Sequence, residues 1–182
     1  MPATPHPAST VVLARSAPSS GFDVFLVRRH DRVAFMGGAH VFPGGRVDPA
    51  DHLDDPAAWC DGLEAAVARM PSRTAGEAIA FHVAAIRELF EEAGVLLARD
   101  ARGSIVGIHG DNEARFRGYR GELTNGRVTL QDVIARERLR LAIDALALFA
   151  HWVTPEVETR RFDTHFFLAV APDEQQAAHD DH

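Results

Sequence analysis

Apolar and polar positions recur along the chain with two different periods, and each change of period marks an element. Runs rich in Val, Leu and Phe at 11–15 and 23–29 have the twofold alternation of strands. The Ser, Pro and Gly between them, at 16–21, predict the loose loop of an antiparallel hairpin. In the second run Val24, Leu26 and Arg28 share one face and Phe25, Val27 and Arg29 share the other, so each face ends on an arginine. A loop over 30–40 leads into Val41-Phe42-Pro43-Gly44-Gly45, a short strand entering a diglycine turn. From 74 the period lengthens to that of a helix. Thr74 and Glu77 have the spacing of a capping box, Val83, Ile86, Leu89, Phe90 and Ala93 form one apolar face, and Gly94 suits a left-handed stop. Further on, 95–97 and 105–108 read as strand fragments, and Asn125-Gly126 marks a turn in the polar stretch 110–128. Thr129 and Asp132 then predict the cap of a long helix reaching about residue 150, before a strand over 162–171.

The side of the 74–94 helix opposite its apolar face carries Glu88, Glu91 and Glu92 within about 100° of arc. Carboxylates at such spacings repel one another, and a hard divalent cation with oxygen ligands relieves the repulsion. A Glu-rich helix face is ordinarily just a solvated surface. Two neighbours set this one apart. Gly44-Gly45 lets backbone carbonyls and amides approach a ligand, and Gly94-Val95 returns the chain to a core directly after the acids.

Gly-Gly followed by Arg87-Glu88-Leu89-Phe90-Glu91-Glu92-Ala93-Gly94-Val95 resembles the Nudix box of the Nudix hydrolase superfamily. In the usual box about fourteen residues separate the second glycine from the arginine, whereas Gly45 and Arg87 lie 42 positions apart, an insertion of about 28. The box's earlier glutamate, expected eight residues before the arginine, falls on Ile79, with Glu77 the nearest acid. The split box resembles the branch containing the peroxisomal coenzyme A diphosphatases. AHVFPGGRVDPAD at 39–51, AAIRELFEEAGVLLAR at 84–99 and HWVTPEVETRRFDTHFFLA at 151–169 carry that likeness.

The resemblance implies an α/β fold, a Nudix-type α/β/α sandwich around a mixed sheet, with a helical insert (about 48–73) inside the box. It implies Mg²⁺ or Mn²⁺ held by Glu88, Glu91 and Glu92 with the Gly45 carbonyl, Glu88 or Glu91 as base, and Arg87 keeping the box rigid. The reaction implied is hydrolysis of a nucleoside diphosphate linked to another moiety, with CoA or acyl-CoA giving 3′,5′-ADP and (acyl-)phosphopantetheine. ADP-ribose, a nucleotide sugar or a dinucleotide is the alternative substrate, and a non-catalytic nucleotide sensor the alternative from another class. The intact acids weigh against the sensor. Arg28, Arg29, Gly44, Arg160 and Arg161 are the candidate substrate contacts, since arginine forks suit anionic oxygens.

Within the insert, Asp55 caps a helix that starts at Pro56 and runs to about Met70, while Asp48, Asp51 and His52 read as solvated loop residues. His165 reads as a satisfied structural histidine, and Trp152 as a core residue or a platform for a base.

The length of 182 residues suits one domain, and 46% hydrophobic content suffices for a core. The expected division is a flexible tail over 1–10 and a domain over 11–182. A formal charge of −7 excludes nonspecific nucleic-acid or anionic-membrane binding. A single cysteine, Cys60, excludes an intrachain disulfide and fits a reducing compartment. No secretory signal, apolar membrane span or peroxisomal ending is visible, so a cytoplasmic location is the default. The chain stops soon after Ala171, before the strand and helix with which relatives close the sandwich. A C-terminal truncation is one expectation from this, and a homodimer covering the exposed sheet edge is another.

Overall fold

The chain opens with β1 (His6–Ser16), followed by β2 (Phe22–Val24), β3 (Val27–Arg28), β4 (His40–Val41) and β5 (Gly44–Arg46) in a computed structural model that describes residues 3–17, 20–28 and 38–178. A 3-10 turn at Pro49–Asp51 leads to α1 (Pro56–Trp59), β6 (Cys60–Asp61) and α2 (Leu63–Arg69), and then to the long α3 (Ala75–Ala93). After β7 (Ala98–Arg99) come α4 (Glu113–Thr124), α5 (Leu130–Glu137), β8 (Arg140–Ala142), β9 (Ala147–Val153) and β10 (Phe162–Val170).

The main sheet has the order β2-β1-β10-β9, with β5 also paired to β1. β1 and β10 are parallel and the other pairings antiparallel, which gives the expected mixed sheet. β1 starts inside the stretch expected to be a tail. Ala8 is 6% exposed and Ser9 fully buried, and the Ser9 hydroxyl donates to the Phe81 carbonyl at 2.7 Å. The polar Ser9 and Thr10 hid this strand, because they break the apolar alternation at a place where one satisfied hydroxyl is enough to permit burial.

α3 forms as its sequence signals require. The Thr74 hydroxyl accepts from the Glu77 amide at 3.3 Å, the Glu77 carboxylate accepts from the Thr74 amide at 2.9 Å, and Gly94 ends the helix at φ 70°. Its apolar side covers the sheet face that carries the odd-numbered residues of β10. Phe81 meets the His165 ring at 4.3 Å and His82 meets the Phe167 ring at 4.6 Å between centroids. On the opposite face of the sheet Phe22, Leu168, Val170 and Trp152 are exposed, so Trp152 is not a core residue. No helix among the described residues is long and apolar enough to cross a membrane.

Burial, outweighing the hydrogen bond to the Ala78 carbonyl, pushes the His82 imidazole from 6.5 down to about 4. A folded-state value below the unfolded one means that the neutral ring is favoured by folding. This stabilisation is complete above pH 6.5 and is lost as pH falls to about 4, an expected loss of about 3 kcal/mol. His82→Leu should flatten that part of a stability-against-pH curve measured by urea denaturation, and an unchanged slope would contradict the assignment.

The middle and later elements differ from expectation. The insert is not one helix: Gly62, at φ 79° and with the Asp144 side chain where a Cβ would sit, separates α1 and β6 from α2. The long helix expected over 129–150 stops at Glu137, where Arg138 turns left-handed at φ 54°. Leu139 and Leu141 then alternate as in a strand, and β8 joins β6 and β7 in a small sheet. Arg140 binds Asp61 and the carbonyls of Ala57, Ala58 and Cys60. Burial pushes the Cys60 thiol up to about 12, an inert core group.

Candidate active site

The acidic end of α3 faces the corner where β5 leaves the diglycine turn. β5 is pinned there by its pairing with β1, in the register Ser9 to Gly45 and Thr10 to Gly44. A Cβ on Gly44 would come within 2.4 Å of the Ser9 carbonyl oxygen, so the close approach of the two strands requires glycine. The Gly44 amide donates to Glu92 Oε2 at 3.1 Å. At Gly45 the space a side chain would fill holds the Glu88 carboxylate, whose Oε1 lies 2.3 Å from an ideal Cβ position. Glu88 Oε1 and Glu91 Oε1 both accept from one nitrogen, Arg87 Nη1, at 2.8 and 3.1 Å. The three acids inferred from helical periodicity therefore stand together beside Gly44 and Gly45.

Arg87 is held from the other side by a residue that the sequence reading set aside. Asp51 accepts from Arg87 Nε and Nη2, each at 2.9 Å, and is 1% exposed. Its Oδ2 also takes the Asp48 amide at 2.8 Å, and Arg87 Nη2 donates to the Arg46 carbonyl at 2.9 Å. Asp51 is thus a buried partner of the box arginine and not a solvated loop acid. Neither Ile79 nor Glu77 does this work, because Glu77 is occupied in the α3 cap. Counted forward from Gly45 instead of backward from Arg87, the expected position of the box's earlier acid is Asp51. The insertion therefore follows that acid.

Burial raises the Glu88 carboxyl from 4.5 to about 7, with Glu91 and Glu92 adding repulsion and Arg87 opposing it. Arg87, itself shared with Asp51, bonds Glu88 and Glu91. The donor set is all oxygen and anionic, and it converges on a corner with no side chain, which fits Mg²⁺ or Mn²⁺. Gly45→Ala tests the corner, because its methyl must displace the Glu88 carboxylate. We expect the fold to persist and kcat/KM for a diphosphate substrate to fall about 100-fold. Activity equal to wild type would show that the contact is dispensable.

Arg161 is 9% exposed, its Nε donating to the Thr154 carbonyl at 3.0 Å and its Nη1 to the Ala3 carbonyl at 2.8 Å, so it ties the start of β10 to the N-terminal segment. It serves as a structural anchor and not as a phosphate fork. Arg160 is exposed and lies over the Phe162 ring at 5.5 Å. Arg28 is exposed on β3, opposite His40 of β4, and Arg29 lies outside the described residues. Arg120, which the sequence reading missed, is 6% exposed on α4 and donates from Nε to the Glu91 carbonyl at 2.8 Å. It braces the last turn of the acidic helix, and only its place in a generally polar stretch hinted at it.

A mixed sheet, a capped helix and three glutamates converging on a diglycine corner define a Nudix-type domain. The profile of the NUDT19 Nudix domain matches residues 67–182, and the chain belongs to that family. It is similar to the acyl-coenzyme A diphosphatase NUDT19 of Homo sapiens, 35% identical over 90% of this chain and 52% of the relative. The corresponding protein of Gallus gallus is 30% identical over 88% of this chain and 54% of that protein. The chain thus spans about half the length of the curated relatives it matches. Among solved structures, a NUDIX hydrolase from Alicyclobacillus acidocaldarius superposes with a TM-score of 0.75 at 25% identity, over 97% of this chain and 74% of that one.

Proposed function

We propose that this chain carries the active site of a metal-dependent diphosphatase that hydrolyses CoA or an acyl-CoA to 3′,5′-ADP and (acyl-)phosphopantetheine. The observation that carries the reading is the convergence of Glu88, Glu91 and Glu92 on Gly44 and Gly45. The relatives named acyl-coenzyme A diphosphatase support the choice of substrate.

Glu88, Glu91 and Glu92, with the Gly45 carbonyl, would hold Mg²⁺ or Mn²⁺. Such ions, when bound, offset the charge of a diphosphate and favour deprotonation of the attacking water. The protein's own part is positioning. Asp51 fixes Arg87, Arg87 fixes Glu88 and Glu91, and the Gly44 amide fixes Glu92, so the acids are in place before substrate arrives. Glu88 or Glu91 accepts the proton of the attacking water. Arg28 and Arg160, both exposed, are the candidate contacts for the substrate's outlying phosphates. We place the reaction in the cytoplasm, with a small-molecule substrate and a homodimer as the working assembly.

The test is a substrate panel of CoA, acyl-CoA, ADP-ribose, NADH and diadenosine polyphosphates with Mg²⁺ or Mn²⁺ in ¹⁸O-water, with products read by mass spectrometry. CoA or an acyl-CoA should be cut at the diphosphate, with label on one phosphate only. Preference for ADP-ribose or a nucleotide sugar would remove the CoA assignment while leaving the diphosphatase intact.

A further inference from the structure

We propose that His151, Asp163 and His165 form a second metal site, separate from the glutamate cluster, that takes a late first-row divalent cation such as Zn²⁺. The sheet itself assembles the three side chains. His151 of β9 and His165 of β10 are direct cross-strand partners, and Asp163 precedes His165 by two positions on the same strand face. Each offers one donor atom, and the three atoms lie within 4.8 Å of one another.

The chemistry of the set differs from that of the catalytic acids. Two imidazoles and one carboxylate suit zinc, copper, nickel or cobalt, whereas three carboxylates suit magnesium or manganese. A second observation points to a ligand here. His165 is 2% exposed and fully enclosed at Nδ1, and that nitrogen has no hydrogen-bond partner among the described residues. The Phe81 ring packs against the His165 ring and offers no acceptor. Buried polar atoms in proteins are nearly always satisfied, by an ion where not by a protein group or water.

The cluster is not yet closed around an ion. Donor atoms around a tetrahedral zinc, with bonds of about 2.0–2.1 Å, stand about 3.4 Å apart, so the close His151–Asp163 pair must part to admit the ion and His165 must meet it from the third side. The His151 and His165 rings are stacked, 4.2 Å between centroids and 14° from parallel, and ring nitrogens donate within their own planes. His151 must therefore rotate off the stack, and its side chain, 42% exposed, has room to do so. Its Nε2 already sits 2.5 Å from Asp163 Oδ1, while the other Asp163 oxygen is held by Arg73. The ion would take Oδ1 and leave Oδ2 to Arg73. The Arg73 charge argues for a site of modest affinity.

The experiment is a calorimetric titration with Zn²⁺ alone, in a Glu88→Gln/Glu91→Gln/Glu92→Gln background that removes the catalytic acids. One Zn²⁺ should bind, and adding His151→Ala, a surface change that leaves the core intact, should weaken binding at least tenfold. Cu²⁺ in the same background should show nitrogen coupling by electron paramagnetic resonance, from two imidazoles before the His151 change and from one after it. No uptake of Zn²⁺ by the triple variant, or unchanged affinity after His151→Ala, would overturn the proposal. Neither result depends on turnover of any substrate, so the diphosphatase reading stands or falls separately.

Discussion

Asp51→Asn is expected to lower the free energy of unfolding by about 3 kcal/mol and to reduce diphosphatase activity about 100-fold. Arg87 is 7% exposed, and Asp51 takes two of its hydrogen bonds. Without the Asp51 charge the guanidinium stays buried, and its hydrogen-bonded carboxylates among the described residues are Glu88 and Glu91, with Asp48 at 3.8 Å. The arginine then draws on the acids it should only position, so stability and catalysis fall together. Urea denaturation and kcat/KM measure the two effects. Asp51→Glu should recover part of both, since a carboxylate is restored. A loss of stability below about 1 kcal/mol for Asp51→Asn would mean that the buried pair does not organise the box.

Glu88→Gln should act in opposite directions on activity and on the stability of the metal-free protein. The Glu88 carboxylate is buried beside two others, which is why its protonated form is favoured up to about 7. An amide keeps the oxygen that accepts from Arg87 and removes the charge. We expect kcat to fall about 1000-fold, from loss of a cation ligand or base. In the absence of divalent ions the variant should be more stable at pH 8, by on the order of 2 kcal/mol, because a desolvated and repelled charge is gone. Thermal melts in chelator, beside steady-state kinetics in Mg²⁺, give both readouts. A variant that is less stable as well as inactive would indicate a structural role for the Glu88 charge.

The parts of this molecule that were legible in the sequence are those written in short-range signals. α3 could be read to within a residue or two because its cap, apolar period and terminal glycine agree, and its acids follow from geometry alone. The diglycine corner was equally plain. Asp51 was missed because spacing was counted from Arg87, across an insertion whose place the sequence does not mark. Only the fold shows that 36 residues of sequence separate two groups 2.9 Å apart. The helix expected to reach 150 failed because Val133, Ile134, Leu141, Leu146 and Phe149 suit a helix buried on more than one side as well as they suit separate elements, and the left-handed Arg138 is a residue type that gives no warning of a stop. Arg161 looked like a phosphate ligand because its partners, the carbonyls of Thr154 and Ala3, are backbone groups that leave no trace in residue identity. The His151, Asp163 and His165 cluster depends on the pairing of β9 with β10, and that register lies beyond local pattern.

Mn²⁺ titration followed by electron paramagnetic resonance asks most directly whether the α3 carboxylates bind a divalent cation at the diglycine corner. The wild-type chain should bind Mn²⁺, and the Glu88→Gln/Glu91→Gln/Glu92→Gln variant, with an unchanged circular dichroism spectrum, should bind it at least 100-fold more weakly. Equal Mn²⁺ affinity in the two proteins would contradict the account.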